Sequence, residues 1–126
     1  MKKNTKPSIL LIEDEEMLGS MYKTKFEKEG FAIETAIDGE AGLEKVKTGK
    51  FDVVLIDIIM PKLDGFAVLK QLRAMDQYKD IPILILTNLS QEEDMSKGKT
   101  LGATDYLVKA NFTPTQVLEK IQSVSK

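Results

Sequence analysis

Short runs of continuous apolar residues alternate along the chain with longer segments whose apolar positions recur at helical spacing. ILLIED at 9–14, FAIETA at 31–36, VVLID at 53–57, ILILTN at 83–88 and YLVKA at 106–110 read as strands, each short and rich in apolar residues. Between and after them lie helix-period stretches near 15–29, 38–48, 64–75, 90–101 and 113–124. Gly30 ends the first helix, Asp38 caps the second and Gly49 closes it, Asp64 caps the third, Ser90 the fourth, and Thr113 followed by Pro114 opens the fifth. Strands alternating with helices predict an α/β fold: a doubly wound, five-stranded parallel sheet with right-handed crossovers and five helices on its two faces. Strands buried on both faces should be continuously apolar, as ILLI, VVLI and ILIL are. FAIETA carries Glu34 and Thr35 and is expected at an edge.

The strands end in polar residues. The first closes in Glu13 and Asp14, the third in Asp57, the fourth in Thr87 and Asn88, the fifth in Lys109. In a parallel sheet these carboxyl ends lie on one side, and open α/β sheets bind ligands there, at the switch point in strand order. Only the second strand lacks such an ending. An order of 2-1-3-4-5 puts it at an edge and sets strands one and three side by side, so that three carboxylates, a hydroxyl and an ammonium converge. Each residue alone has an ordinary explanation. Glu13 to Glu16 suit the acidic first turn of a helix, Asp57 a capped strand end, Thr87 a turn, Lys109 a solvated edge and Tyr106 a core. Their falling at the same end of successive strands favours a site.

Close carboxylates repel, and a hard divalent cation such as Mg²⁺ relieves them with oxygen ligands. A hydroxyl and a lysine opposite suit a second anion, most plainly a phosphoryl group. Asp57 can then act as a nucleophile that forms an acyl phosphate.

Composition narrows the field further. With 126 residues the chain is one domain by size. Lys and Arg number 18 against 20 Asp and Glu, so no broad electrostatic case for nucleic acid exists. Without cysteine there is no disulfide or thiol chemistry, which suits a cytoplasmic protein. Without histidine the chain has no imidazole base or ligand and cannot carry a phosphohistidine of its own. The start, MKKNTKP, is basic, but the apolar run after it covers only Ile9 to Ile12, too short for a signal sequence or a membrane span. Residues 1–7 are expected to form a flexible tail and residues 8–126 a single domain.

Four segments resemble the response-regulator receiver domain of two-component signalling, from about residue 8 to residue 122. LLIEDEE matches its acidic pair, LIDIIMPKLDG its phosphoacceptor, ILILTN its hydroxyl-bearing strand end, and LGATDYLVKA its lysine with an aromatic three residues earlier. The resemblance implies a flavodoxin-like fold with the strand order of this family's chemotaxis member. It implies that Asp57 accepts the phosphoryl group and that Asp14, Asp57 and the Ile59 carbonyl hold Mg²⁺, or Mn²⁺ in its place, with Glu13 acting directly or through water. Thr87 and Lys109 would bind phosphoryl oxygens, and Tyr106 would turn inward as Thr87 moves. Ile59 and Leu89 would flank the path of the hydrolytic water. Three departures stand out: Glu13 where Asp is usual, Ala110 where Pro usually follows the lysine, and Asn88 where a small residue is common.

The implied donor is a histidine kinase or a histidine phosphotransfer protein. The implied output is a downstream protein engaged by helix four, strand five and helix five, with the chain a monomer or a phosphorylation-linked homodimer, and with no direct contact to nucleic acid or membrane. No output domain is expected in this chain; a fragment of a larger regulator would read the same. Rival classes fare worse. GKT at 98–100 resembles a P-loop end, but the motif needs Gly at position 93, which is Glu93. A haloacid-dehalogenase-type phosphatase needs a second Asp at position 59, which is Ile59. A receiver that binds partners without phosphorylation would be expected to lose Asp57 or Lys109.

Overall fold

The computed structural model describes residues 6–125. Its strands are β1 (Ser8–Ile12), β2 (Ala32–Ala36), β3 (Val53–Ile56), β4 (Ile83–Thr87) and β5 (Asp105–Val108). They form one parallel sheet in the order β2-β1-β3-β4-β5, the order that the family resemblance implies. The helices are α1 (Glu16–Lys28), α2 (Gly39–Thr48), α3 (Gly65–Arg73), α4 (Glu92–Thr100) and α5 (Pro114–Val124), with short 3₁₀ turns at Asp76–Tyr78 and Lys109–Asn111. β2 lies at an edge, and its alternating exposure explains why a glutamate and a threonine are tolerated there.

Two apolar cores cover the two faces of the sheet. Leu10, Ile12, Val54, Ile56, Ile83 and Ile85 face one, packed on Val46, Val68, Leu69 and Leu72. Ile9, Leu11, Val53, Leu55, Leu84 and Leu86 face the other, packed on Tyr22, Phe26, Val117 and Ile121. The period of two along strands buried on both sides sends successive residues into opposite cores.

Capping mostly follows the sequence. The Asp38 and Asp64 carboxylates accept the amides of Ala41 and Ala67, and Thr113 with Gln116 forms a reciprocal capping box. Gly30, at φ 91°, follows the end of α1 in the left-handed region that glycine accepts without strain. The fourth helix departs from expectation. Ser90 does not cap it; Gln91 takes that place without a side-chain bond, and the acidic first turn of Glu92, Glu93 and Asp94 complements the helix dipole instead.

Residues 1–5 of the expected tail lie outside the described residues. Lys6 is held, its ammonium 4.9 Å from the centre of the Phe31 ring. Arg73 at the end of α3 donates to the carbonyls of Gly102, Tyr78 and Ile81, tying together the approaches to β4 and β5. Among the described residues no helix is long and apolar enough to cross a membrane.

Candidate functional site

Each strand of interest stops slightly before the sequence pattern does, and the polar residues start the loops. β1 ends at Ile12, β3 at Ile56 and β5 at Val108, so Glu13, Asp57 and Lys109 each come immediately afterwards, while Thr87 is the last residue of β4. The backbone stays paired for one residue more: Glu13 N–H donates to Ala36 O at 2.9 Å and Asp57 N–H to Ile12 O at 3.0 Å. Glu13 and Asp57 are therefore set on fixed backbone at the carboxyl end of the sheet. Gly65 helps to hold the Asp57 loop. A Cβ on Gly65 would lie 2.2 Å from the Asp57 carbonyl oxygen, so α3 can start this close only from glycine.

The pocket brings together every expected carboxylate. Glu13, Asp14 and Asp57 each offer an oxygen within 4.8 Å of the others. Asp57 is buried at 5% exposure and Glu13 at 2%, whereas Asp14 is exposed. Lys109 reaches across from the other side, with Nζ 2.8 Å from Asp57 Oδ2 and 2.8 Å from Glu13 Oε1. The Asp57 contact is an aligned hydrogen bond; Glu13 Oε1 is held by charge without an aligned donor. Asp57 Oδ1 accepts the Ile59 amide at 3.3 Å. Thr87 is fully buried, and its hydroxyl oxygen accepts the Leu89 amide at 3.4 Å.

Burial raises the Glu13 carboxyl above its ordinary 4.5; Lys109 and the Glu15 amide lower it, Asp57 adds to the rise, and the balance stays upward. Burial works to lower Lys109, but its close pairing with the Asp57 and Glu13 carboxylates outweighs that and raises its pKa above 10.5. The ammonium is thus firmly charged at neutral pH. Three carboxylates against one ammonium leave the pocket short of positive charge, and an all-oxygen donor set suits a hard divalent cation.

Tyr106 lies half-buried beside Gly98 of α4 and donates its hydroxyl to the Leu89 carbonyl at 2.8 Å. Burial, with the charges of Asp94 and Asp57, pushes its phenol up to about 12. Two ties escaped the sequence pattern. Asn88 Oδ1 accepts the Ala110 amide at 3.2 Å, so the bulk that departs from the family's small residue anchors the turn after Lys109. The Lys109–Glu13 ion pair is the other, and a buried glutamate paired with a strand-end lysine has no local sequence signature.

The family model for the response regulator receiver domain matches residues 9–122. The chain belongs to that family. Receiver domains serve as signalling phosphoacceptors and are supplied by histidine kinases. Among its relatives is the alkaline phosphatase synthesis transcriptional regulatory protein PhoP of Bacillus subtilis, 40% identical over 116 residues, covering 92% of this chain and 47% of that protein. This receiver domain spans about half the length of such relatives. Among solved structures, the chemotaxis response regulator CheY4 of Vibrio cholerae superposes with a TM-score of 0.88 at 37% identity, over 95% of this chain and 99% of that one. The response regulator TrrA of Thermotoga maritima, solved in complex with Mg²⁺ and BeF, gives a TM-score of 0.83 at 31% identity, over 94% and 99%.

Proposed function

We propose that residues 8–126 form a single receiver domain that accepts a phosphoryl group on Asp57, from a phosphohistidine of another protein, with Mg²⁺ held at the acidic pocket. The observation that carries this reading is the position of Asp57. It is a buried carboxylate with one oxygen on Lys109 and the other on a backbone amide, beside two further carboxylates. That the related TrrA was solved in complex with Mg²⁺ and BeF supports a place for Mg²⁺ in this reading.

In this reading Asp14, Asp57 and the Ile59 carbonyl hold the metal, with Glu13 close by. Bound there, Mg²⁺ or Mn²⁺ supplies charge that offsets the negative oxygens of the incoming group. An Asp57 oxygen attacks phosphorus as the bond to the donor's nitrogen breaks, and the leaving electron pair goes with the imidazole. Lys109 and the Thr87 hydroxyl receive the phosphoryl oxygens. Tyr106, released from the Leu89 carbonyl, then turns inward and alters the face of α4, β5 and α5 that meets a downstream protein. A cytoplasmic location, where such kinases deliver phosphate, completes the reading.

The metal assignment is tested by titrating Mg²⁺ into Asp14→Ala and Glu16→Ala and following backbone NMR shifts, since the chain has no tryptophan. Asp14→Ala should weaken binding far more, because Glu16 opens α1 on the exposed side. Equal affinities would remove Asp14 from the ligand set.

The lifetime of the phosphoryl group is tested at Ile59 and Leu89. Ile59 is 58% exposed, and Leu89 is half-buried beside Thr87. Aliphatic side chains can exclude the attacking water but cannot orient it, so slow hydrolysis is expected. The pair Ile59→Asn and Leu89→Glu should speed decay roughly tenfold, about 1.4 kcal/mol of barrier. The measurement is loss of phosphoprotein after donor removal at fixed Mg²⁺; unchanged decay would mean that neither side chain governs water.

A further inference from the structure

Glu13 is the pocket residue whose surroundings differ most from those of a metal ligand open to water. Its side chain has no exposed surface, while the neighbouring Asp14 is exposed. Its Oε2 accepts the Glu15 amide at 3.0 Å, and its Cγ would touch a Cβ built on Gly19, so the carboxylate is tucked under the first turns of α1. From there Oε1 points at Lys109, 2.8 Å away. We propose that Glu13 is a positioning residue for Lys109: it fixes the ammonium beside the acceptor and keeps it there when Asp57 gives up its own charge.

A lysine side chain is a flexible stem with a point charge at its tip, and it stays in one place only if its partners stay. Lys109 has two such partners, Asp57 and Glu13. During transfer one Asp57 oxygen bonds to phosphorus, the donor's bond to phosphorus breaks, and the carboxylate ceases to be an anion. Its charge is replaced by that of the phosphoryl oxygens. Glu13 takes no part in that exchange, so its hold on the ammonium persists from one state to the other. The extra methylene of glutamate, about 1.5 Å by ordinary bond lengths, lets Oε1 reach Lys109 while Oε2 remains on the Glu15 amide. An aspartate on the same backbone would fall short of one of them. This deepens the proposed function in its transfer step; the ion pair itself stands without it.

The test begins with metal-free protein and side-chain ammonium NMR, with the Lys109 signal assigned by its loss in Lys109→Arg. In wild type the ammonium should exchange slowly with water. Exchange should rise roughly tenfold in Glu13→Gln, the factor that about 1.4 kcal/mol of lost protection gives. Glu13→Asp, which keeps the charge but withdraws it, should fall between. With saturating Mg²⁺ and phosphoramidate as donor, Glu13→Gln should lower the maximal rate of phosphorylation roughly tenfold and leave the half-saturating donor concentration nearly unchanged. Its Mg²⁺ affinity should fall much less than that of Asp14→Ala. Unchanged ammonium exchange, or a loss of Mg²⁺ binding as large as in Asp14→Ala, would overturn the role of Glu13 even if wild type is phosphorylated normally. A wild type that takes no phosphate from any donor would instead end the reading of the pocket as a phosphoacceptor.

Discussion

Incubated with Mg²⁺ and a small phosphodonor, the wild-type protein should gain about 80 Da, one phosphoryl group on an aspartate nucleophile, and Asp57→Asn should gain none. The expectation rests on geometry as well as motif. Asp57 is held by its own amide on Ile12, its Oδ1 on the Ile59 amide and its Oδ2 on Lys109. Its position is therefore set before any donor arrives, which is what an in-line displacement requires. The adduct should be labile to hydroxylamine, as an acyl phosphate is, and intact mass before and after treatment reads both properties. Asparagine at 57 is nearly the same shape and removes a like charge from a cluster of carboxylates, so the variant should fold at least as well as wild type. Labelling of Asp57→Asn to the same extent would place the acceptor elsewhere.

Lys109→Ala should cost about 3 kcal/mol of folding stability at neutral pH, the lower end of the range for removing one partner of a buried ion pair. Lys109 is 10% exposed in its side chain, Glu13 0% and Asp57 8%, so solvent screens the remaining charges poorly. The pH dependence has a definite sign. The folded pKa of Glu13 is raised above 4.5, so its contribution to stability is fully present below 4.5 and is lost as pH rises through the folded value. Removing the ammonium takes away a group that lowers the Glu13 pKa, which pushes it further up. The deficit of Lys109→Ala should therefore be largest near neutrality and shrink toward pH 4.5 as Glu13 protonates. Urea unfolding of metal-free wild type and variant across that range measures it. Adding Glu13→Gln to Lys109→Ala should recover much of the loss at pH 7. A deficit that does not depend on pH would mean that lost packing, and not the stranded carboxylates, sets the cost.

The fold was largely legible in the chain. Continuous apolar strands separated by capped helical segments bury both faces in a parallel sheet covered by helices on either side, and the polar strand endings pointed to the side on which a site forms. The places of Asp38, Asp64 and Thr113 as caps were equally local, since each needs only a side-chain oxygen two or three residues before a free amide. Ser90 was misleading for the same local reason. A serine before an acidic helical segment looks like a cap, yet the chain enters α4 through Gln91.

What the sequence determined by itself was the set of candidate groups: the carboxylate proposed as acceptor, two further carboxylates, a hydroxyl and an ammonium, each placed at the end of a strand by the pattern of its own segment. What only the tertiary structure decided was how those groups divide among themselves. Adjacent in sequence, Glu13 and Asp14 leave β1 toward opposite environments, one sealed under α1 and one open to water. Lys109, 52 residues beyond Asp57, meets both buried carboxylates at 2.8 Å only because β1 and β3 are neighbours and β5 follows β4 in the sheet. Asn88 finds Ala110, and Tyr106 finds Leu89, by the same adjacency of strand ends. The physical reason is range. Caps, periods and turns are settled within a few residues, whereas the partner of a buried charge is settled by which strands lie side by side, and no local pattern carries that distance.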